Sequence, residues 1–244
     1  MKEVISKFWK EKSILSIEKL VNWKKKMKPY NFTSLPETVI IDGSGNKESY
    51  WARINSKKLK GIKGNHIISK NGKYLMSSNI GNGAPELILV CEELRCLGVK
   101  NFIFIGLGGI IAPKIKEGSY HLISKAYSGT GTAQYYSENE VFHQQSSAWS
   151  QNILKEISCN ESTCFSTDAP FRETKSLIQE LKKNEVQLIE MECAALYAFA
   201  EYYSLNSICF LIGADKISDN WTPPNDFTNI IKKKTELIKK LISL

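Results

Sequence analysis

The sequence predicts an α/β fold with three layers, α/β/α, in which helices cover both faces of a mixed, largely parallel central sheet. Short runs of apolar, β-branched residues alternate along most of the chain with longer segments whose apolar residues recur at helical spacing. Glycine-containing turns separate the two kinds of segment. This alternation is typical of strand–helix–strand units, which build parallel sheets.

The beginning of the chain contains a helical segment and the first strand. Apolar residues recur at roughly helical spacing over residues 4–28, which predicts one or two amphipathic helices. A loop with prolines at both ends follows, and the β-branched run at residues 38–41 predicts a buried strand. We therefore expect an N-terminal helical extension, residues 1–30, and a single α/β domain, residues 31–244.

The remaining strands and helices follow in alternation. Ligands of such sheets bind beyond the carboxyl ends of the strands. Glycines come after the strands that end at residues 41 and 105, and Asp215 comes just after the last strand, so we expect one functional rim. Strands are predicted at residues 73–78, 101–105, 121–126, 161–167 and 207–213, and helices at residues 86–97, 144–157, 175–183, 192–203 and 225–244.

The composition is that of a globular protein, with 42% hydrophobic and 24% charged residues. No apolar run approaches the ~20 residues that span a bilayer, so no membrane partner is expected. The first 30 residues are too rich in lysine for a signal peptide, and we expect a cytoplasmic protein.

The net charge of +8 raises the question of nucleic-acid binding. The lysines concentrate at the two ends of the chain without interleaved aromatic residues, which favours solvated helix faces over a specific nucleic-acid site. The 6 cysteines and 3 histidines lack the spacing of a zinc site, so reduced thiols and no metal are expected.

Three segments carry the functional signal. The run GNGAP at residues 81–85 precedes a glutamate-containing helix, Leu-Gly-Val at residues 97–99 and a strand that ends at Gly106. Residues 189–194 read IEMECA, and Ala-Asp follows a late apolar strand at residues 214–215. With the Ser-Thr-Asp turn that ends at Asp168, these motifs resemble the nucleoside phosphorylase family of the hexameric purine and uridine type, over about residues 37–220.

The resemblance implies a role for each residue around a nucleoside. Glu192 would accept hydrogen bonds from the ribose hydroxyls, and Met191 would pack on the sugar. Asp215 would assist the departing base as a general acid, although Ala214 replaces the serine that precedes this aspartate in the family. The alternatives are a helix N-terminal glutamate for Glu192 and a turn aspartate for Asp215.

Four further residues are candidates for substrate binding. Glu190 precedes the ribose pair, and Gly108 follows the strand at residues 101–105. Phe171 would pack against the base, or else it closes the core as a loop aromatic. Arg172 would reach the base, or else it is a surface charge.

The phosphate pocket is where the sequence departs from the family. The early turn keeps Gly43, but Lys47 stands where the family has an arginine. The family also has an arginine and a threonine or serine around the glycine that ends the later strand, which is Gly106 here. Phe104 and Leu107 stand at those two positions. Gly43, Lys47 and Gly106 are the phosphate-binding candidates that remain, together with the backbone N–H groups of the turn.

Three functions therefore stay open. The chain is a phosphorylase with inorganic phosphate as co-substrate, a hydrolase in which water attacks the sugar, or a catalytically weak protein that binds a nucleoside or another partner. No metal or organic cofactor is implied. A small-molecule nucleoside is the expected ligand, and the resemblance implies a homo-oligomer.

Overall fold

A computed structural model describes residue 8, residues 10–44 and residues 58–244. Within this part of the chain, no helix is long and apolar enough to cross a membrane. The helices are α1 (Ile17–Met27), α2 (Ala84–Cys96), α3 (Ala148–Glu156), α4 (Lys175–Lys183), α5 (Cys193–Tyr202) and α6 (Phe227–Ser243). The strands are β1 (Thr38–Asp42), β2 (Lys58–Leu59), β3 (Asn65–Ile68), β4 (Tyr74–Ser78), β5 (Asn101–Ile110), β6 (Tyr120–Gly129), β7 (Val141–His143), β8 (Asn160–Thr167), β9 (Leu188–Glu190), β10 (Asn206–Ile217) and β11 (Trp221–Thr222).

The described strands form one 11-stranded mixed sheet. Parallel pairs join β1 to β4 and β5, β5 to β10, β6 to β8, and β8 to β9. Antiparallel pairs join β10 to β6 and β5 to β9, so β5, β10, β6, β8 and β9 close into a ring. The predicted α/β fold with a mixed central sheet is confirmed, and the closure of the sheet is a feature that strand patterns alone do not reveal.

The two faces of the sheet bury different helices, because successive side chains of a strand point to opposite sides. Val39, Ile41 and Phe104 face the side that α2 and α5 cover. Ile40 and Ile105 face the side that α6 covers. Each fully buried side chain of this size contributes about 1.5–3 kcal/mol, so both layers stabilise the sheet.

The register of β1, β5 and β10 places their carboxyl ends at one edge, as expected. Thr38 pairs with Asn101, and Asn101 pairs with Asn206. However, β5 continues to Ile110 and β10 to Ile217, so the prediction that these strands end at residues 105 and 213 is wrong. The glycines do not stop β5, because ladders with β10 on one side and β9 on the other hold this stretch extended.

The N-terminal segment predicted as one or two helices is interrupted among the described residues. Residues 11–16 are not helical, and the helix begins only after Ser16, whose hydroxyl oxygen accepts a hydrogen bond from the N–H of Lys19. Ile14 and Leu15, predicted on the apolar face, are 95% and 81% exposed, while Val21 is buried. Residues 4–7 of the predicted helix lie outside the described residues.

Candidate active site

A cavity of about 750 Å³ opens at the edge of the sheet where β5, β9 and β10 meet. Four of the predicted site residues line it, and they come from β9, the turn between β9 and α5, β10 and the loop before α4. They are Glu190, Met191, Asp215 and Phe171. The structure thus brings together side chains from distant parts of the chain, although their roles toward a substrate stay predictions.

Asp215 lies in β10 and forms one wall of this cavity. Its Oδ2 accepts a hydrogen bond of 2.7 Å from the indole N–H of Trp221 in β11. Glu173, next to the short helix Pro170–Arg172, lines the same cavity. Burial and then the negative charge of Asp215 raise the pKa of Glu173 to about 7.

Glu190 is a buried carboxylate that organises the turn into α5. Its Oε2 accepts hydrogen bonds from the N–H groups of Glu192 at 2.7 Å and Cys193 at 2.8 Å. Its Oε1 accepts one from the hydroxyl of Ser166 and lies 3.5 Å from the thiol of Cys164. Both oxygens are therefore engaged within the protein, and Glu190 supplies the acceptor for the free N–H groups at the start of α5.

Glu192 points to the start of α2. Its Oε1 accepts a 2.6 Å hydrogen bond from the N–H of Gly83, and its Oε2 accepts one of 3.2 Å from the N–H of Met191. Glu192 occupies the N-cap position of α5 without a side-chain capping bond, so the alternative of a helix N-terminal glutamate stays open. Burial and then the charge of Glu190 raise the pKa of Glu192 to about 7.

Glu192, Arg172 and Gly108 are not among the described residues that line the cavity. Met191, which does line it, has its methyl group beside Gly83, so Glu192 lies next to the cavity wall at the α2 side. A Cβ atom on Gly108 would lie 3.2 Å from Leu188, which shows that this glycine packs against the core.

Phe171 belongs to the mouth of the cavity. Its side chain is 100% exposed, so the alternative that Phe171 closes the core is wrong. Trp221 is also largely exposed, and both aromatic residues line the cavity. Flat apolar rings at an open rim are suited to contact an aromatic ligand.

The place that the resemblance assigns to phosphate is filled by an apolar ring. Phe104 is fully buried, and its ring lies directly against Gly43. A Cβ atom on Gly106 would lie 2.7 Å from the same ring. The N–H of Gly43 donates to the carbonyl of Ile105 at 2.9 Å, so this amide does not face a ligand.

The turn after β1 also holds an internal ion pair. Asp42 Oδ2 lies 2.7 Å from Nζ of Lys234, a buried residue of α6. Asp42 Oδ1 accepts hydrogen bonds from the N–H of Ser44 at 3.1 Å and from its hydroxyl at 2.7 Å. Lys47 lies outside the described residues. The N–H groups of Gly43 and Ser44 are thus bonded inside the protein, whereas Gly45, the third amide of the expected anion nest, lies outside the described residues.

Sequence reasoning missed Lys234, Glu173 and Trp221. Lys234 did carry a signal, because it shares a helical face with Ile230 and Ile238, which are both buried. A lysine on an apolar face predicts a buried partner. Glu173 and Trp221 carry no comparable signal, since Glu173 comes from the loop before α4 and Trp221 from the two-residue strand β11.

One group of described residues has the ligand atoms for a metal. Cys164, Glu190 and Cys193 are buried, and their ligand atoms lie within 4.8 Å of one another. Burial raises the pKa of both thiols, which favours the neutral form that binds metals poorly. With Glu190 engaged by backbone N–H groups, this cluster is a packed part of the core.

Comparisons with known proteins identify the family of the chain. The family model described as the phosphorylase superfamily matches residues 54–243. An uncharacterized protein of Acanthamoeba polyphaga mimivirus is 28% identical over 153 residues, which cover 61% of this chain and 60% of that protein. A DeoD-type purine nucleoside phosphorylase of Brevibacillus brevis is 25% identical over 199 residues, covering 75% of this chain and 83% of the relative.

The fold also matches a solved structure. The crystal structure of uridine phosphorylase from Vibrio fischeri ES114 superposes with a TM-score of 0.70 at 19% identity, and the match covers 85% of this chain and 91% of that one. The resemblance predicted from the motifs is confirmed by these comparisons. The chain belongs to the phosphorylase superfamily.

Proposed function

We propose that the protein cleaves the N-glycosidic bond of a nucleoside and that water, not phosphate, attacks the sugar. Relatives named as purine nucleoside and uridine phosphorylases support the choice of bond. The cavity supports it too, since it combines carboxylates with exposed aromatic rings. The nucleophile is inferred from the turn after β1.

The state of that turn is the observation that carries the proposal. A phosphate dianion that leaves water needs charged or hydrogen-bonding partners, and a buried charge without them costs several kcal/mol. Here the Phe104 ring lies against Gly43 and Gly106, and the described N–H groups of the turn already have acceptors. The buried cation of Lys234 is neutralised by Asp42. Water needs none of these partners.

In this proposal each side of the substrate meets its own residues. Breaking the bond builds positive charge on the ribose, as in glycoside hydrolysis. Glu192 and Met191 would hold the sugar, Asp215 would lie at the base, and Phe171 would contact the base face. No metal or organic cofactor takes part. Assembly as a homo-oligomer and a cytoplasmic location stay predictions from the sequence.

A product assay tests the nucleophile. We expect the protein to release base from adenosine, inosine or uridine at the same rate with and without phosphate, because the described turn offers phosphate no site. The other product should be free ribose, measured by chromatography. Release that requires phosphate and yields ribose 1-phosphate would contradict the proposal and restore the phosphorylase alternative, whereas tight binding without release would support the alternative of a weak catalyst.

A substitution tests the sugar assignment. Glu192→Gln should lower nucleoside turnover about tenfold or more, since a hydrogen bond to a charged acceptor is worth about 1.5–3 kcal/mol. Glu201→Gln, on the exposed side of α5, is the matched control and should behave like the parent protein. Steady-state kinetics on both variants decide it, and parental turnover by Glu192→Gln would show that this carboxylate does not hold ribose.

A further inference from the structure

We infer that Glu173 is a further catalytic residue, which supplies the proton that the departing base takes up. The inference rests on the proposed cleavage of a glycosidic bond, but it holds for either nucleophile. It assigns to Asp215 a different part from the one that the resemblance implies, namely that of the charged partner of Glu173.

The carboxyl groups of Asp215 and Glu173 differ in their hydrogen-bond partners. Asp215 accepts a hydrogen bond of 2.7 Å from the indole N–H of Trp221, which satisfies one of its oxygens. Among the hydrogen bonds of the described residues, none involves the side chain of Glu173, although the group is half-buried and lines the cavity. A proton on Glu173 is therefore available to a ligand.

The surrounding charges favour a proton on Glu173. The cavity is also lined by three other carboxylates, those of Asp215, Asp219 and Glu190. Among the described residues that line it, Lys175 at the start of α4 is the one with a cationic side chain. Burial and the charge of Asp215 place the pKa of Glu173 at about 7. A carboxyl group with such a pKa still carries its proton in a substantial fraction of molecules at neutral pH, as a general acid must.

The chemical step balances with water as the nucleophile. The bond between C1′ and the base nitrogen breaks, and its electron pair stays with the base. The proton of Glu173 moves to a ring nitrogen of the base, which leaves as a neutral molecule. The water oxygen bonds to C1′ and loses one proton, which restores Glu173 through solvent. The sum is nucleoside plus water to free base plus ribose.

The test compares two leaving groups. Glu173→Gln should lower kcat on a purine nucleoside about 10²- to 10⁴-fold with little change in KM. The same variant should cleave p-nitrophenyl ribofuranoside at the parental rate, because p-nitrophenolate departs without a proton. Glu180→Gln, on the exposed side of α4 and away from the cavity, is the matched control and should leave both rates unchanged.

The pH profile gives a second readout. For the parent protein, kcat/KM on the nucleoside should fall as the pH rises through about 7, where Glu173 loses its proton. Ionisation of Glu192, needed to accept hydrogen bonds from ribose, should give the rise on the acid side. Glu173→Gln should lack the fall and keep the rise.

Several results would overturn the inference. They are an equal loss of rate on both substrates, a fall at high pH that persists in Glu173→Gln, or a Glu180→Gln variant as impaired as Glu173→Gln. If the parent protein cleaves nucleosides and the Glu173→Gln variant is fully active, only this inference is refuted. A parent protein that cleaves neither substrate refutes the proposed function as well.

Discussion

Replacing Lys234 with methionine should lower the free energy of unfolding by about 3–5 kcal/mol, because the substitution leaves a buried carboxylate without its cation. Asp42 and Lys234 are both buried, and their 2.7 Å contact joins the end of β1 to α6. For a chain of this size each kcal/mol shifts the melting temperature by about 2–4 °C, so a fall of about 6–20 °C is expected. Thermal and urea unfolding of the variant measure it.

A double-mutant cycle separates the pair from simple loss of packing. The double variant Asp42→Asn with Lys234→Met should recover much of the lost stability, since no unpaired buried charge remains. Lys240→Met lies on the exposed side of the same helix and should change stability little. If Lys234→Met is no less stable than Lys240→Met, the ion pair does not hold the turn in place.

The packing around Gly43 and Gly106 shows why a family motif does not by itself identify a phosphate site. Gly43 and Gly106 match the family at the phosphate place, and from the sequence they count as candidates for that ligand. In the structure they leave room for the ring of Phe104, which a Cβ atom at either position would displace. A glycine that a ligand needs and a glycine that a neighbouring side chain needs are identical in the sequence, and only packing distinguishes them.

The fold was predictable because it depends on local patterns. The alternation of β-branched runs with helical spacing identifies β1, β4, β5, β8 and β10, and the rule for parallel strands places the carboxyl ends of β1, β4, β5 and β10 at one edge. The edge strands β2, β7 and β11 are too short to carry a pattern. The extension of β5 through Gly108 depends on two neighbours that are distant in sequence, and tertiary pairing here overrides a turn signal.

The candidate site was predictable only in part, for a related reason. Glu190, Met191 and Asp215 lie in motifs, so the resemblance finds them. Glu173 lies near Asp215 in the loop before α4 and Trp221 lies in the short strand β11, and the sequence does not predict the position of either. The sequence also does not indicate that Glu190 turns inward, since a glutamate before a helix is equally suited to face a ligand.

Glu190→Gln should be among the most damaging substitutions in this chain. An amide keeps one acceptor oxygen, but its NH₂ group must then face either the N–H groups of Glu192 and Cys193 or the hydroxyl of Ser166 and the thiol of Cys164. If the amide oxygen keeps its place toward one side, donors on the other side are left unpaired at about 1–3 kcal/mol each, so we expect a loss of about 2–6 kcal/mol. Chemical unfolding measures this, with Glu161→Gln, an exposed glutamate of the neighbouring β8, as the control.

The same variant should change the site in a direction that instability alone does not explain. The charge of Glu190 contributes to the raised pKa of Glu192, so its removal should lower that pKa and move the acid-side rise of nucleoside turnover to lower pH. Turnover should also fall at every pH. The hydrogen bonds from the N–H groups of Glu192 and Cys193 to Glu190 hold the turn before α5, and the substitution weakens them. A variant that keeps parental stability and an unshifted profile would mean that the Glu190 carboxylate neither holds this turn nor acts on its neighbour, and that it is free to bind a substrate directly.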